Sequence, residues 1–457
     1  MLGQLILVGV LGSSALAQTV PVFGQCGGEN YSGATQCAAG NNCVVFNPFF
    51  FQCVPDTETF TGSPTITNTA TVGTSTASST VASTTTVSTP FPTGFVKTSG
   101  TRFTLNGAPF TVFGTNAYWP ALLGYSNADI DQAFADMAAA GVTVVRTEGF
   151  NEVTNPFQGE IFFHQWTGAT ATVNTGATGL QRLDQLIASA KAHGIRVIIT
   201  LTNNWSDFGG MDVYAAQLLG SGQPHDVFYT NPTIIAAFKT YVQAVVSRYA
   251  TEPGVMAWEL CNEPRCAGTN TAASANCTTA TITNWASNIS AFIKSLDANH
   301  LVALGDEGFL NEPGTHNFDF VYQGTLGIDF AANMNITTLD FGTFHMYPES
   351  WGEAGNPDSV TWGVQWINDH AAIMKTANKP AIMEEFGLES SSGATRAAQY
   401  TTWYNAVISS GLTGDLVWQA GSDLSTGPTP NDGFAIYPSD PVYALMPQHA
   451  AALKSRG

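Results

Sequence analysis

The stretch VMAWELCNEPRC, Val255 to Cys266, begins as an apolar run and ends on a polar cluster, Asn262, Glu263 and Arg265, with Pro264 breaking the backbone between the last two. A buried strand that stops by presenting a carboxylate behaves like a strand of an α/β barrel, whose C-terminal strand ends form the functional rim. A second run, PAIMEEFG, has the same habit and ends on Glu384 and Glu385. Further β-type runs are expected at 110–116, 142–147, 195–201, 301–305, 339–345 and 415–419, which with 255–260 and 380–385 makes eight. Helical stripes lie between them. Ser126 can cap one carrying Ile130, Phe134 and Met137 and ending at Gly141; Leu183, Leu186, Ile187 and Ala190 form another that stops at Gly194; Asn231-Pro232 opens a third with Ile235, Phe238, Val242 and Val245 inward. Strand and helix alternating eight times imply an α/β fold of the (β/α)₈ TIM-barrel type over residues 95–457.

The chain ahead of the barrel divides by composition. Residues 1–17 combine a short apolar run with a small-residue Ser14-Ala15-Leu16-Ala17 pattern and read as a secretory signal peptide. Residues 18–54 are rich in Cys, Gly and aromatics, and 55–94 are a Ser/Thr/Pro-rich tether with too little apolar surface to fold. Sequons at Asn276, Asn288 and Asn335 fit a secreted, extracellular glycoprotein. With 15 Lys and Arg against 34 Asp and Glu, the net charge of −19 argues against a nucleic-acid partner. No segment after the leader has the apolar length of a membrane span. A monomer is expected.

Four of the seven cysteines, Cys26, Cys37, Cys43 and Cys53, fall in the small module, which is too short to be held by an apolar core alone. Their spacing leaves three pairings open. The segment FGQCGGENYSGATQCAAGNNCVVFNPFFFQC resembles the family 1 carbohydrate-binding modules of fungal enzymes over its whole length. The resemblance implies pairs Cys26–Cys43 and Cys37–Cys53. It also implies a cellulose-binding face formed by Phe23, Phe49 and Phe50 with Asn47 and Gln52. Phenylalanine stands at all three platform positions, keeping the stacking faces while removing polar ring groups, so weaker cellulose binding is expected.

Two carboxylates at strand ends are what glycosidic cleavage requires, one to protonate the leaving oxygen and one to attack or direct water. The pairing of NEP after the fourth strand with EEFG at the seventh resembles glycoside hydrolase family 5, in particular its fungal endo-β-1,4-mannanase branch, from FTVFGTNAYW to DGFAIYPSDPVY. The resemblance implies that Glu263 is the acid/base and Glu385 the nucleophile of a retaining double displacement, with carboxyl groups about 5 to 5.5 Å apart. Glu384 is the rival nucleophile; on a regular strand it points to the side opposite Glu385. By the same resemblance Arg146 and Tyr347 hold the nucleophile ionised, His345 and Asn262 contact sugar and position the reacting groups, and Trp418 forms the aromatic floor.

The branch likeness rests on Arg265, GDEGF with Glu307, NNWSDFGG (203–210), FHMYPESWG and GSDLSTGPTPNDGF. It implies that Arg265 and Glu307 contact sugars beyond the cleavage point; Asn204 and Trp205 join the substrate-binding set, with Trp119 and Trp205 as sugar platforms. The substrate is then a β-mannan, as mannan, galactomannan or glucomannan, with an endo-β-1,4-glucanase as the competing enzyme and a silent polysaccharide-binding protein as the competing non-enzyme. Cys266 matches a disulfide cysteine of the family, with Cys277 as its partner, leaving Cys261 as a free thiol. No cofactor and no metal are expected.

Overall fold

In the computed structural model, residues 19–20, 25–27, 34–47, 50–55, 91–314, 319–353 and 358–456 are described. The expected signal peptide and tether residues 56–90 lie outside them. By contacts the chain divides into two units, 1–86 and 87–457.

All eight apolar runs of the larger unit form strands: β1 (Val112–Asn116), β2 (Val144–Glu148), β3 (Arg196–Thr200), β4 (Val255–Glu259), β5 (Leu301–Ala303), β6 (Gly342–Met346), β7 (Ala381–Phe386) and β8 (Gly414–Val417). Paired neighbours are parallel in the order β5-β4-β3-β2-β1-β8-β7-β6. Asp340 closes the remaining seam between β5 and β6. Its backbone N–H donates to Val302 O at 2.8 Å and its carboxylate accepts the Val302 N–H at 2.7 Å.

The barrel interior is layered by the two-residue period of its strands. Val112, Val144, Ile198, Ala257, Leu301, Ile382 and Leu416 form a buried apolar layer, plugged by Val96 and Phe103 of the hairpin below. Two residues further toward the C-terminal ends, the inward positions become Arg146, Thr200, Glu259, Glu384 and Trp418. A dry base therefore carries a polar mouth.

Outside, α1 (Asn127–Ala139), α2 (Leu180–Ala192), α3 (Pro232–Tyr249), α4 (Thr279–Leu296), α5 (Phe330–Met334), α6 (Ser359–Ala377), α7 (Arg396–Ser410) and α8 (Met446–Arg456) cover the strands. Ser126 caps α1 by accepting the Asp129 N–H, and Asn231 caps α3 by accepting those of Thr233 and Ile234. In α3 it is Ile234, fully buried, that faces the core, whereas the expected Ile235 is half-exposed. Among the described residues no helix is long and apolar enough to cross a membrane.

The last residues assigned to the tether belong to this unit. The Arg196 guanidinium lies 4.5 Å from the Phe91 ring centroid and donates to Pro92 O and Gly94 O at 3.0 and 3.1 Å. A buried arginine needing acceptors thus draws 91–94 onto the barrel, and the boundary inferred from composition is several residues late.

The small unit is a three-stranded antiparallel sheet of Gln25–Gly27, Asn41–Asn47 and Phe50–Pro55, with the last strand central. Disulfides join Cys26 to Cys43 and Cys37 to Cys53, the pairing the resemblance implied. Phe23 and Phe49 lie outside the described residues; Asn47, Phe50 and Gln52 lie on the strands.

Candidate active site

β4 ends at Glu259, and the next residues are drawn across the mouth by backbone hydrogen bonds to both neighbours. Asn262 N–H donates to Thr202 O and Glu263 N–H to Gly305 O, each at 2.9 Å. This path places Glu263 in the left-handed region, φ 49°, a conformation that costs a non-glycine residue about 1–3 kcal/mol. Gly305 must be glycine here. Its φ is 86°, and a Cβ would lie 2.1 Å from Cys261 O and 2.6 Å from a Glu259 carboxylate oxygen.

Arg146 organises the floor. Its Nε donates to both oxygens of Glu259 at 3.1 and 2.9 Å, Nη2 to Glu259 Oε1 at 2.7 Å and Asn262 Oδ1 at 2.8 Å, and Nη1 to Asn116 Oδ1 at 3.1 Å and to Glu385 Oε1. Tyr347 Oη donates to Glu385 Oε2 at 2.8 Å. Arg146 is 1% exposed, so it acts on Glu385 and not on a sugar. Glu263 is held from two sides, by Trp205 Nε1 on Oε2 at 2.6 Å and His345 Nδ1 on Oε1 at 2.7 Å. One oxygen of Glu263 and one of Glu385 lie within 4.8 Å of each other, with His345 Nδ1 between them, 3.6 Å from Glu385 Oε2.

The buried charges set one another's protonation. For His345, burial disfavours the cation, but Glu385 and Glu263 outweigh it and raise its pKa well above the usual value. For Glu263, burial favours the acid, but the hydrogen bond and charge of His345, with Arg265 and Trp205, hold it down to about 2. Glu384 has neither oxygen hydrogen-bonded; burial and the Glu259 charge push it up to about 8. Burial likewise lifts Glu148, at the end of β2, to about 7.

Several expected contacts are corrected by the geometry. Trp119 is not a sugar platform: it is fully buried in the core and its Nε1 donates to Ala420 O at 3.3 Å. Asn204 is also buried, accepting the Arg265 N–H at 2.9 Å and donating to Ala267 O at 3.1 Å, so it shapes the loop that carries Arg265. Glu307 is buried, 1% exposed, and turned to Arg265, whose guanidinium donates to its two oxygens at 2.5 and 2.6 Å, so it positions Arg265 and does not meet a sugar. Burial and the Glu263 charge raise its proton affinity, yet this two-point contact needs both oxygens as acceptors and is that of an ionised pair. His345, fully buried, touches the carboxylates and not the cleft.

Glu384 does not point away from Glu385. A register shift between β6 and β7 pairs Phe344 with Met383 but His345 with Glu385, and this irregularity brings both carboxylates toward the interior. Glu384 Oε2 lies 3.6 Å from Arg146 Nε and 3.8 Å from His345 Nε2.

Asn262 is part-exposed at the rim, its Nδ2 donating to Asn203 Oδ1 at 3.1 Å. Trp418 presents a half-exposed ring, held by its Nε1 on Asp432 Oδ2 at 2.7 Å. Tyr118 stacks parallel to it at 6.2 Å between centroids and meets the tilted ring of Phe208 at 5.8 Å, a wall the sequence reading missed. The Arg265 guanidinium lies 5.0 Å from the Trp205 ring and 5.2 Å from that of Phe309. A pocket of about 140 Å³ opens beside Tyr347, lined also by Glu349, Gly387, Glu389 and Phe434. Cys266 and Cys277 form a disulfide across the loop after β4, and Cys261 is a buried free thiol.

Comparison with known proteins follows the same division. The family described as Cellulase (glycosyl hydrolase family 5) matches residues 103–423, and the fungal cellulose binding domain matches 22–50. Mannan endo-1,4-beta-mannosidase F of Aspergillus fumigatus is 42% identical over 432 residues, 93% of each chain. A probable mannan endo-1,4-beta-mannosidase F of Emericella nidulans is 44% identical over 99% of each. Among solved structures, the endo-1,4-beta-mannanase of Rhizomucor miehei superposes with a TM-score of 0.72 at 42% identity, covering 79% of this chain and 100% of its own.

Proposed function

The chain belongs to glycosyl hydrolase family 5, and from that membership we propose that it is an endo-acting mannanase that cleaves β-1,4-mannosidic bonds within mannan chains. One observation carries the reading of the site: carboxylate oxygens of Glu263 and Glu385 within 4.8 Å of each other at the mouth of the barrel. That separation favours the retaining arrangement, since inverting pairs stand about 6.5–9.5 Å apart to admit a water.

Glu385, oriented by Arg146 and Tyr347, attacks the anomeric carbon, and the pair of electrons in the breaking bond passes to the leaving oxygen, which Glu263 protonates. Water then displaces Glu385 while Glu263 takes its proton. Trp418 lies beneath the sugar undergoing cleavage, with Tyr118 extending that wall. Trp205 and Arg265 serve the sugars on the leaving side, and Asn262 contacts sugar at the reacting centre. Galactomannan and glucomannan are included as substrates.

The N-terminal module anchors the enzyme on cellulose through Phe23, Asn47, Phe49, Phe50 and Gln52. The enzyme is secreted and monomeric. Three disulfides support an oxidising compartment, and exposure of Asn276, Asn288 and Asn335 makes each available for glycosylation.

Cleavage of mannohexaose in ¹⁸O-labelled water tests the reading. The expected outcome is shorter manno-oligosaccharides labelled at the new reducing end, with the β anomer formed first. Initial α anomer would refute retention. Faster hydrolysis of carboxymethyl cellulose than of mannan would favour the glucanase alternative.

A further inference from the structure

His345 is an unusual neighbour for a general acid. Its imidazole is fully buried and faces three acidic side chains: Nδ1 lies 2.7 Å from Glu263 Oε1 and 3.6 Å from Glu385 Oε2, and Nε2 lies 3.8 Å from Glu384 Oε2. Asp306 and Glu307, following β5, are further acidic groups that feel the His345 charge, and the Glu307 carbonyl accepts the backbone N–H of His345 at 3.2 Å. Glu263 meanwhile receives an indole N–H, which can only donate, on Oε2, and faces the imidazole with Oε1. An ionised Glu263 satisfies both contacts, and the ring donates through Nδ1 while Nε2, without a hydrogen-bond partner, has Glu384 Oε2 3.8 Å away.

We propose that the proton delivered to the leaving group resides on His345 in the resting enzyme, so that His345 and Glu263 together form the general acid. This rests on the assignment of Glu263 made above and extends it. The direction of the shifts agrees: Glu385 is the largest influence holding the proton on His345, and His345 in turn keeps Glu263 ionised.

The steps balance. As Glu385 bonds to the anomeric carbon and the glycosidic bond breaks, the leaving oxygen takes a proton from Glu263, and Glu263 draws one from His345 Nδ1. Imidazolium, two carboxylates and substrate become neutral imidazole, one carboxylate, the glycosyl ester of Glu385 and the released alcohol, with net charge unchanged. Esterification removes the Glu385 charge that favoured the imidazolium, so His345 stays neutral and Glu263 stays ionised, ready as a base. Water then supplies the proton, which returns to His345 as Glu385 regains its charge. The nucleophile's own charge thereby switches its partner between acid and base.

Aryl β-mannotriosides with leaving groups from dinitrophenol to phenol provide the test, comparing His345→Gln and Glu263→Gln in the full chain. In H345Q, turnover of the phenyl substrate should fall about 100-fold or more while that of the dinitrophenyl substrate falls only a few-fold, because only poor leaving groups need the proton. The basic limb of its kcat/KM profile should also move to lower pH. Equal loss across the leaving groups in H345Q, with a steep dependence in E263Q, would overturn the dyad alone. Equal loss in E263Q would overturn the assignment of Glu263. Wild-type enzyme with ¹⁵N-labelled histidine gives a readout independent of any variant: one imidazolium at neutral pH should become neutral when a 2-fluoro mannosyl reagent esterifies Glu385. A neutral His345 before labelling refutes the proposal.

Discussion

Glu152 couples the loop that carries Trp205 to pH. Its backbone N–H donates to Phe208 O at 3.0 Å and its Oε2 accepts the Gly210 N–H at 2.9 Å, but Oε1 is buried without a partner. Burial raises its pKa from 4.5 to about 7. A carboxyl group that keeps its proton in the folded state while the unfolded chain loses it makes folding less favourable as pH rises, with a slope approaching 1.4 kcal/mol per pH unit between the two pKa values. From pH 5 to pH 8 this amounts to roughly 2–3 kcal/mol. The stabilising contribution is fully present below about pH 4 and gone above about pH 8. In Glu152→Gln the amide oxygen can still accept from Gly210, and the titration disappears. For a unit of roughly 370 residues the unfolding entropy converts that difference into about 3 °C. Melting temperatures of the two proteins should therefore diverge by about 3 °C between pH 5 and pH 8, the wild type losing more. Parallel curves would show that Glu152 is ionised in the fold and that the reasoning from its burial is wrong.

Tyr347→Phe removes one of the groups that hold Glu385; a hydrogen bond to a charged group is worth about 1.5–3 kcal/mol, so kcat/KM should fall about 10- to 150-fold, and a loss under threefold contradicts the assigned contact. Trp119→Phe should lower stability by ~1–3 kcal/mol in urea titrations by orphaning the Ala420 carbonyl, without a selective rise in KM; a KM effect alone would restore it as a sugar platform. Replacing Cys266 and Cys277 by Ser opens a loop with sequence separation 11 and should cost ~3 kcal/mol, measured by denaturation with and without reductant.

The eight strands were legible because each is an apolar run long enough to be buried on both faces, and Glu263 and Glu385 because they stand where those runs end. Glu259 was hidden inside its run, between Trp258 and Leu260, although counting by twos from the apolar Ala257 places it inward beside Arg146. The same count from Ile382 places Glu384 inward, a signal that was present but overridden by the assumption of a regular strand through Glu385. Trp119 could not be told from Trp205 by sequence: both are tryptophans on mouth loops, and only packing decides which ring is buried. Glu307 was expected to bind sugar from the branch resemblance of GDEGF, and a motif match cannot show that the carboxylate is already engaged by Arg265. The Tyr118 and Phe208 wall joins the loops after β1 and β3, a pairing visible only once the barrel closes.

Every N–H direction of the Arg146 guanidinium is occupied, by Glu259, Asn262, Asn116 and Glu385. Lysine has three donors on a single nitrogen and cannot reproduce that planar fork. Arg146→Lys therefore leaves at least two of these contacts unmade. The residue under the nucleophile is thus tied to four neighbours at once, so exchanging it frees Glu259, Asn262 and Asn116 together with Glu385.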